Sequence, residues 1–549
     1  MTPTRRDLIA LSAVSAFSQS LSTPTWVNEI VARHDANVDR LLKLQITDHQ
    51  SRWRGVFSDE FGLHHPGTGA GVIDAFLTAY LHPKSKFYHD KAIPERIRLA
   101  ADFLTRVQSP DGNINLLTTN FNSPPDTGFV VRALCPSVKV AQRAGAAELV
   151  RMVEPFLRRA GAGMTKGGVH TPNHRWVVSA ALSQLHDLFS DPGYVRRIDQ
   201  WLAEGVDIDD EGQFTERSTY TYNPITDNAF VTMASKLKRP ELLEPARRNL
   251  ESMLYLLHPD YEVVTEISRR QDLNQRGDMG PYWFALAYLA RHDKDGRFAT
   301  LARHFAPTRA NLSALMEYPE LMEDGPAPTA IPDQYRRAFP HNGFLRIRKG
   351  KLSATILAGD RSRFFTLRHG DAVVNAVRFA SAFFGRGQFA APTLKDNNGV
   401  IELQQELTAQ YYQPLDPPRK VNADEYPSTV KERRRTEICP LQQSVTIAET
   451  STGFRLRIRA QGTNDIPLAV EINFREGGKL EGVTPVGDVY ILKSPQASYR
   501  TGADVIRFGP GVAEHTYTQV RGAEPKLSGP SVYLTCLTPF DHTINFELS

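Results

Sequence analysis

"APTRANLSALMEYPELMEDGPAPTAIPDQY", residues 306–335, is where one sequence pattern ends and another begins. Its Pro and small residues mark it as a linker between domains. Upstream, over residues 24–305, apolar residues recur at three- and four-residue spacing. "AIPERIRLAADFLTRVQ" (92–108), "AELVRMVEPFLRRAG" (147–161), "HRWVVSAALSQLHDLF" (174–189), "GYVRRIDQWLAEG" (193–205) and "GPYWFALAYLARH" (280–292) each read as a helix bounded by Pro, Gly or Asp. Roughly eleven such helices are expected. Downstream, over 336–549, the pattern alternates: "GFLRIRKG" (343–350), "KLSATILAG" (351–359), "GFRLRIRAQG" (453–462), "PLAVEINF" (467–474), "ADVIRFG" (503–509), "SVYLTCLT" (531–538) and "TINFELS" (543–549) read as strands. Paired helices with no central strand pattern predict a toroid of helical hairpins, and the second half predicts an all-β domain.

Length and composition agree with two domains. At 549 residues the chain exceeds what one hydrophobic core supports, and 41% hydrophobic with 23% charged residues is an ordinary globular composition. A net charge of +4 gives no ground for a nucleic-acid partner, though it suits an acidic ligand. Cys135, Cys439 and Cys536 have no metal-site spacing and allow at most one bridge, Cys439 to Cys536. The start, "MTPTRRDLIALSAVSAFSQSLST" (1–23), places Arg5 and Arg6 before a short apolar run, Leu8 to Phe17. It reads as a twin-arginine export signal, so a periplasmic or secreted protein is expected, with no membrane span.

Four long loops in the helical half carry most of its polar chemistry: residues 109–131, 164–176, 207–230 and 262–283. Each is dense in Asn, Asp, Arg, His, Thr and Tyr, the short hydrogen-bonding groups and stacking rings that a sugar polymer requires. Any one loop could be turn and cap chemistry alone. Four in succession on one helical half point to a site.

The order of "PNHRW" (172–176) at a helix start, "EGQFTERSTYTYNP" (211–224), "SRRQD" (268–272) and then "LRHGD" (367–371) in the β half resembles the heparinase II/III-like polysaccharide lyases and their alginate-lyase relatives. The resemblance implies an incomplete (α/α) toroid followed by an antiparallel β-sandwich, and β-elimination at a uronic acid; that chemistry requires no redox cofactor, nucleotide or metal-activated water, in keeping with a sequence that lacks GxGxxG, P-loop and HExxH motifs. It implies that Asn173 and His174 are the family's Asn-His pair, and that Glu216, Arg217 and Ser218 lead to a catalytic tyrosine, Tyr220 or Tyr222. The usual Ser-Pro step and the His after the tyrosine are missing here. His369 matches the histidine that often comes from the β-domain.

The chemistry tests those residues separately. Removing the proton on carbon 5 of a uronate requires the adjacent carboxylate charge to be offset, which an amide and a cation in a preorganised groove can do. Asn173 with Arg175 or Arg270 fits. His174 and Tyr222 fit proton transfer, with Tyr220 in reserve. Asn120, Asn122, Asp126, Arg175, Trp176, Glu216, Arg217, Arg269, Arg270 and Gln271 are the candidate substrate-binding residues. Trp176 fits the core better than a sugar contact, while Arg269 and Arg270 equally fit a solvated pair on Asp272 and His369 equally fits a plain sheet position. His170, His186, His258 and His292 show no metal-site clustering. A glycoside hydrolase is the alternative, with Asp111, Asp126 and Asp209 or Asp210 as its carboxylates, and a non-catalytic carbohydrate-binding protein is the third reading.

Overall fold

A computed structural model describes residues 25–359 and 361–549. The twin-arginine segment lies outside the described residues. The chain forms two compact units: one holds the described residues up to Leu254 together with Tyr261–Ile331, the other Tyr255–Asp260 together with Pro332–Ser549.

The first unit contains twelve α-helices among the described residues: α1 (Thr25–Leu44), α2 (Pro66–Leu81), α3 (Ile93–Val107), α4 (Pro124–Arg143), α5 (Ala147–Lys166), α6 (Pro172–Phe189), α7 (Pro192–Ala203), α8 (Tyr222–Leu237), α9 (Glu244–Met253), α10 (Trp283–His292), α11 (Gly296–Arg309) and α12 (Leu312–Glu317). They pack as successive hairpins, α2 with α3, α4 with α5, α6 with α7, α8 with α9 and α10 with α11. The first member of each hairpin also packs on the first member of the next, so α2, α4, α6, α8 and α10 form an inner row. Sequence dictates which helix goes inside. α2 (PGTGAGVIDAFLTAYL) is apolar or small on every side, whereas α3 (IPERIRLAADFLTRV) has one apolar stripe and a charged face. A helix without a polar face is stable only when surrounded, and an amphipathic one closes the outside. The row is the (α/α) toroid expected from the periodicity.

Several inner helices reach their outer partners by short turns, 144–146, 190–191 and 293–295, while three of the returns, 108–123, 204–221 and 254–282, are long and the fourth, 167–171, is short. The polar loops therefore all enter N-termini of inner helices, and they gather at one end of the row. The expected linker departs from the reading: residues 306–331 belong to the first unit, where Leu312–Glu317 is helical and Leu312, Leu315 and Leu321 are buried. Pro and small residues there end short helices rather than separating domains, and the division falls between Ile331 and Pro332.

The second unit is a β-sandwich. One sheet of eight strands runs from Lys479–Glu481 at one edge to Leu394–Asn397 at the other, and the second has ten, with Gln334–Phe339 at an edge. Pairing is antiparallel, except where Val489–Ile491 runs parallel to Ser531–Leu537. Gly453–Gly462 shows the alternation: Phe454, Leu456, Ile458 and Ala460 are buried, while Arg455, Arg457 and Arg459 are exposed. Inward residues of both sheets share one core.

Phe344–Lys349 departs from that alternation, because Arg346 is fully buried. Tyr255–Asp260 explains it. The Leu257 carbonyl accepts from Arg348 (3.0 Å), His258 Nδ1 meets Ser353 Oγ (2.9 Å), and Arg346 donates to Ser353 Oγ (2.8 Å) and Thr355 Oγ1 (2.6 Å). The guanidinium is buried because it is hydrogen-bonded. The three cysteines are free, so the Cys439–Cys536 bridge is not formed; Cys536 Sγ instead meets Glu514 Oε1 at 2.9 Å. No helix among the described residues is long and apolar enough to cross a membrane.

Candidate active site

Helix α6 begins with Thr171 in extended conformation and Pro172 in the first turn. The Thr171 hydroxyl does not cap the backbone; it donates to Asn173 Oδ1 at 2.7 Å. The amide of Asn173 is thereby oriented, with its Nδ2 a shielded donor that has no acceptor, in a residue only 3% exposed. His174 follows, also buried, its ring edge-on to His170 (4.7 Å between centroids) and Phe129 (6.2 Å). Its Nδ1 is shielded from solvent and has no hydrogen-bond partner. Burial, reinforced by His170 and Arg270 and opposed by Asp126, lowers the imidazole pKa to about 4. His174 is thus neutral near pH 7, the state a base requires.

The loops before α8 and α10 lock together beneath the tyrosines. Buried Asp272 accepts from Ser218 Oγ (2.9 Å), Ser268 Oγ (3.0 Å) and the Tyr220 amide (3.0 Å). Ser218 Oγ in turn accepts the Tyr222 amide (3.1 Å), holding the first turn of α8. Asp272 is therefore an anchor for the tyrosine segment and not a partner of Arg269 or Arg270. Tyr220 packs its ring over Gly277, where a Cβ would lie 2.1 Å from it. Tyr222 OH accepts from Gln271 Nε2 (2.6 Å), and the Arg270 guanidinium stands 5.3 Å from its ring centroid. Arg270 Nε lies 3.6 Å from Glu216 Oε1, a charge contact longer than a hydrogen bond.

Both Glu216 oxygens are shielded from solvent. Burial raises its pKa, with the Arg270 guanidinium and the backbone N–H of Asn173 offsetting part of the rise. Glu216 therefore faces inward and steadies Arg270, where a sugar contact was expected. Arg217, in left-handed conformation (φ 41°), is only 3% exposed, and its carbonyl accepts the Arg269 amide (3.0 Å); the Arg269 side chain is exposed.

The loop before α4 contains a small hairpin, β1 (Ile114–Leu116) with β2 (Asn120–Ser123). Asp126 accepts from Ser123 Oγ (2.5 Å) and Asn120 Nδ2 (2.9 Å), while Ser123 Oγ accepts the Asp126 amide (3.2 Å). This is a cap on α4, with its acid satisfied. Asn122 ties the hairpin to Asp111 (2.9 Å) and Ser109 (2.7 Å). Asp209 Oδ1 takes the Glu211 and Gln213 amides, both at 2.9 Å, and Asp210 is exposed. Of the carboxylates of the hydrolase reading, Asp111, Asp126 and Asp209 are thus engaged by loop and cap hydrogen bonds, and Asp210 is exposed.

Two expected sugar contacts are framework residues. Trp176 is fully buried on Phe230 and donates to Asp207 Oδ1 (2.8 Å); Arg175 pairs with Asp207 (2.9 Å) and Glu204 (3.2 Å) and stacks on Trp176. They fix α6 to the 204–207 turn. His369 belongs to the second unit, on strand Phe365–His369, where burial lowers its pKa against the opposing charge of Asp504. The cluster built from the first unit is Asn173, His174, Tyr222, Arg270 and Gln271, backed by Glu216 and Asp272. Sequence reading missed His170, whose only signal was its four-residue spacing from His174, and the anchoring use of Asp272. Among the described residues no group of three or more His, Cys, Asp or Glu side chains is placed to hold a metal ion.

No family model matches the sequence, and no curated protein matches it at the sequence level. Solved structures do match the fold. The Streptomyces coelicolor A3 chondroitin AC lyase in complex with chondroitin sulphate is 13% identical, with 99% of this chain and 82% of that one covered and a TM-score of 0.54. A heparinase III is 10% identical over 99% and 89% of the two chains, with a TM-score of 0.53. A Paenibacillus xanthan lyase is 11% identical, with 100% of this chain and 59% of that one covered and a TM-score of 0.53. At these identities the likeness is one of fold.

Proposed function

We propose that this protein is a polysaccharide lyase that cleaves a uronate-containing glycan by β-elimination. The observation that carries the reading is the unpaired, buried Asn173 Nδ2 at the start of α6, beside a neutral imidazole and an Arg270–Tyr222 pair. A buried donor without an acceptor is costly in a folded protein and marks a place where a ligand completes the hydrogen bonding. Here the groups around it, Arg270 and the N-terminus of α6, favour an anion. A uronate carboxylate supplies both the charge and the acceptor.

In that pose the carbon 5 proton passes to His174 Nε2 while Asn173 and Arg270 hold the charge that develops on the carboxylate. The carbon 4–oxygen bond breaks, its electron pair leaves with the oxygen, and the Tyr222 hydroxyl protonates it. Because Gln271 donates to the Tyr222 oxygen, the phenolic proton stays available for this step, and Arg270 stabilises the phenolate left behind. No water enters the products. The hydrogen bonds tighten only when substrate is bound, as ligand-free sites commonly require.

The assay is a panel of uronic-acid polysaccharides followed at about 232 nm, where a carbon 4–carbon 5 enoate absorbs. A rise in absorbance with no label taken from ¹⁸O-water supports elimination. Labelled reducing ends without absorbance gain would overturn it in favour of hydrolysis. The reading includes export by the Arg5–Arg6 signal: replacing both with Lys is expected to retain the precursor in the cytoplasm, and normal delivery of that variant refutes this part.

A further inference from the structure

A β-sandwich has four sheet edges, each a row of backbone groups that another chain can pair with. Three of them are short or charged here. Lys479–Glu481 and Thr484–Val486 have three residues each, the second with Pro485, and Gln334–Phe339 carries Arg336 and Arg337. The fourth edge differs. Strand Leu394–Asn397 covers only Val400–Leu403 of the strand Val400–Tyr412, so from Gln404 onward that strand is paired on one side alone. The tight turn at Asn398 and Gly399, both at positive φ (52° and 93°), makes Asn397 and Val400 the hydrogen-bonded closing pair. Alternate residues from Val400 therefore turn N–H and C=O to that side, and beyond the cover these are Gln404, Glu406 and Thr408. The Arg386 guanidinium donates to the Thr408 carbonyl (2.5 Å), which Pro440, opposite Thr408 on the paired side, has no N–H to satisfy. Gln404, Glu406 and Thr408 are exposed, and among the described residues no acceptor meets their three amides.

The bare edge continues into apolar side chains. Tyr411 (58% exposed) and Ile438 (64%) stand just past it, with Tyr412 beside them and the Phe384 ring 5.6 Å from that of Tyr411. Glu406 is the one charged residue between Gln404 and Tyr412, and no salt bridge engages its carboxylate among the described residues. We propose that this edge is the interface of a dimer, in which the Gln404–Thr408 strands of two copies of the chain pair antiparallel about a two-fold axis at Leu407. A row of free strand N–H and C=O groups takes another strand, and this strand is complementary to itself. In that register Glu406 of each copy pairs with Thr408 of the other, and the incoming amide takes over the Thr408 carbonyl from Arg386. Each free Glu406 then comes to the edge that Arg386 of the other copy holds, and the two Glu406 carboxylates stay apart. An axis at Glu406 would set them face to face, which like charges disfavour. A stable dimer buries roughly 800 Å² per partner, more than five paired residues offer, and the two-fold axis places Phe384, Tyr411, Tyr412 and Ile438 at both ends of the paired stretch to add apolar area. The interface is independent of the proposed chemistry.

Sedimentation equilibrium of the full chain across the micromolar range reads the association directly, and a species of twice the chain mass is expected. Arg386→Glu and Glu406→Arg should each weaken the dimer at least about tenfold, and the double variant, which restores opposite charges with the signs exchanged, should return to within about threefold of wild type. Recovery in the double variant separates a charge contact from a folding defect, because a misfolded edge would not recover. Thr408→Pro removes an edge N–H that faces solvent in the monomer, a place where a strand tolerates Pro, so the chain is expected to fold and the dimer to be lost. In hydrogen exchange the amides of Gln404, Glu406 and Thr408 should slow as the concentration rises through the dissociation constant. A wild type that sediments as a monomer throughout overturns the proposal. So does a dimer that Thr408→Pro and both single charge changes leave intact, since its contact then lies elsewhere.

Discussion

Replacing Asn173 with Ala separates the catalytic reading of the α6 start from a structural one. In the folded protein the Asn173 side chain makes one hydrogen bond, Oδ1 with the Thr171 hydroxyl (2.7 Å), and its Nδ2 makes none. Truncation therefore removes one neutral hydrogen bond, about 0.5–1.5 kcal/mol, and relieves an unpaired buried donor worth a similar amount. The two nearly cancel, and the melting temperature is expected to move by no more than a few degrees. Turnover has no such compensation. An amide that holds the developing charge on the carboxylate contributes about 2.7–4 kcal/mol to the barrier, so kcat is expected to fall by roughly a hundred- to a thousandfold. Asn173→Asp, which substitutes an anion for the donor, should be at least as damaging to turnover. Initial rates at saturating polymer, with thermal melts on the same preparations, check both quantities. A variant that melts well below wild type yet turns over within threefold of it would refute the reasoning and make Asn173 a capping residue.

Three further outcomes follow from the same geometry. Because burial lowers His174 to about 4, wild-type stability should be lost as pH falls from about 6.5 towards 4, by roughly 2–3 kcal/mol; urea titrations of His174→Gln should show a shallower loss, and parallel curves would refute the shift. Tyr222→Phe should lower kcat by at least about a hundredfold and Tyr220→Phe by less than about tenfold, since Tyr222 carries the Gln271 and Arg270 contacts and Tyr220 packs on Gly277; the reverse order, measured by initial rates, would exchange their roles. Asp227, fully buried with both oxygens unpaired, has a pKa raised well above the usual carboxylate value by desolvation. A carboxyl with a raised folded pKa costs stability progressively as pH rises above about 4. Asp227→Asn should therefore be more stable than wild type at pH 8 and gain almost nothing at pH 4, and an equal difference at both, in urea melts, would show that its ionisation is irrelevant.

Periodicity alone determined the two halves, because a helix and a strand must each bury one face and the spacing of apolar residues records how. It also separated inner from outer helices: α2 has no polar face to give to solvent, and α3 has one. The polar loops were legible too, since their composition does not suit a core. What composition could not report is the use of each polar group, because an Asp that caps a helix and an Asp that meets a sugar are the same residue. Asp126 and Arg175 were consumed by the cap on α4 and the 204–207 turn, and Trp176 by the core. Asp272 and Glu216 turned inward, while Gln271 reached a tyrosine forty-nine positions away. Tyr255–Asp260 joined the second unit across a long sequence separation, burying Arg346 in a strand whose alternation had promised solvent. Local propensity acts over a few residues and so fixes elements. Pairing of hydrogen-bond donors with acceptors acts through space, and only the folded chain decides which partners meet.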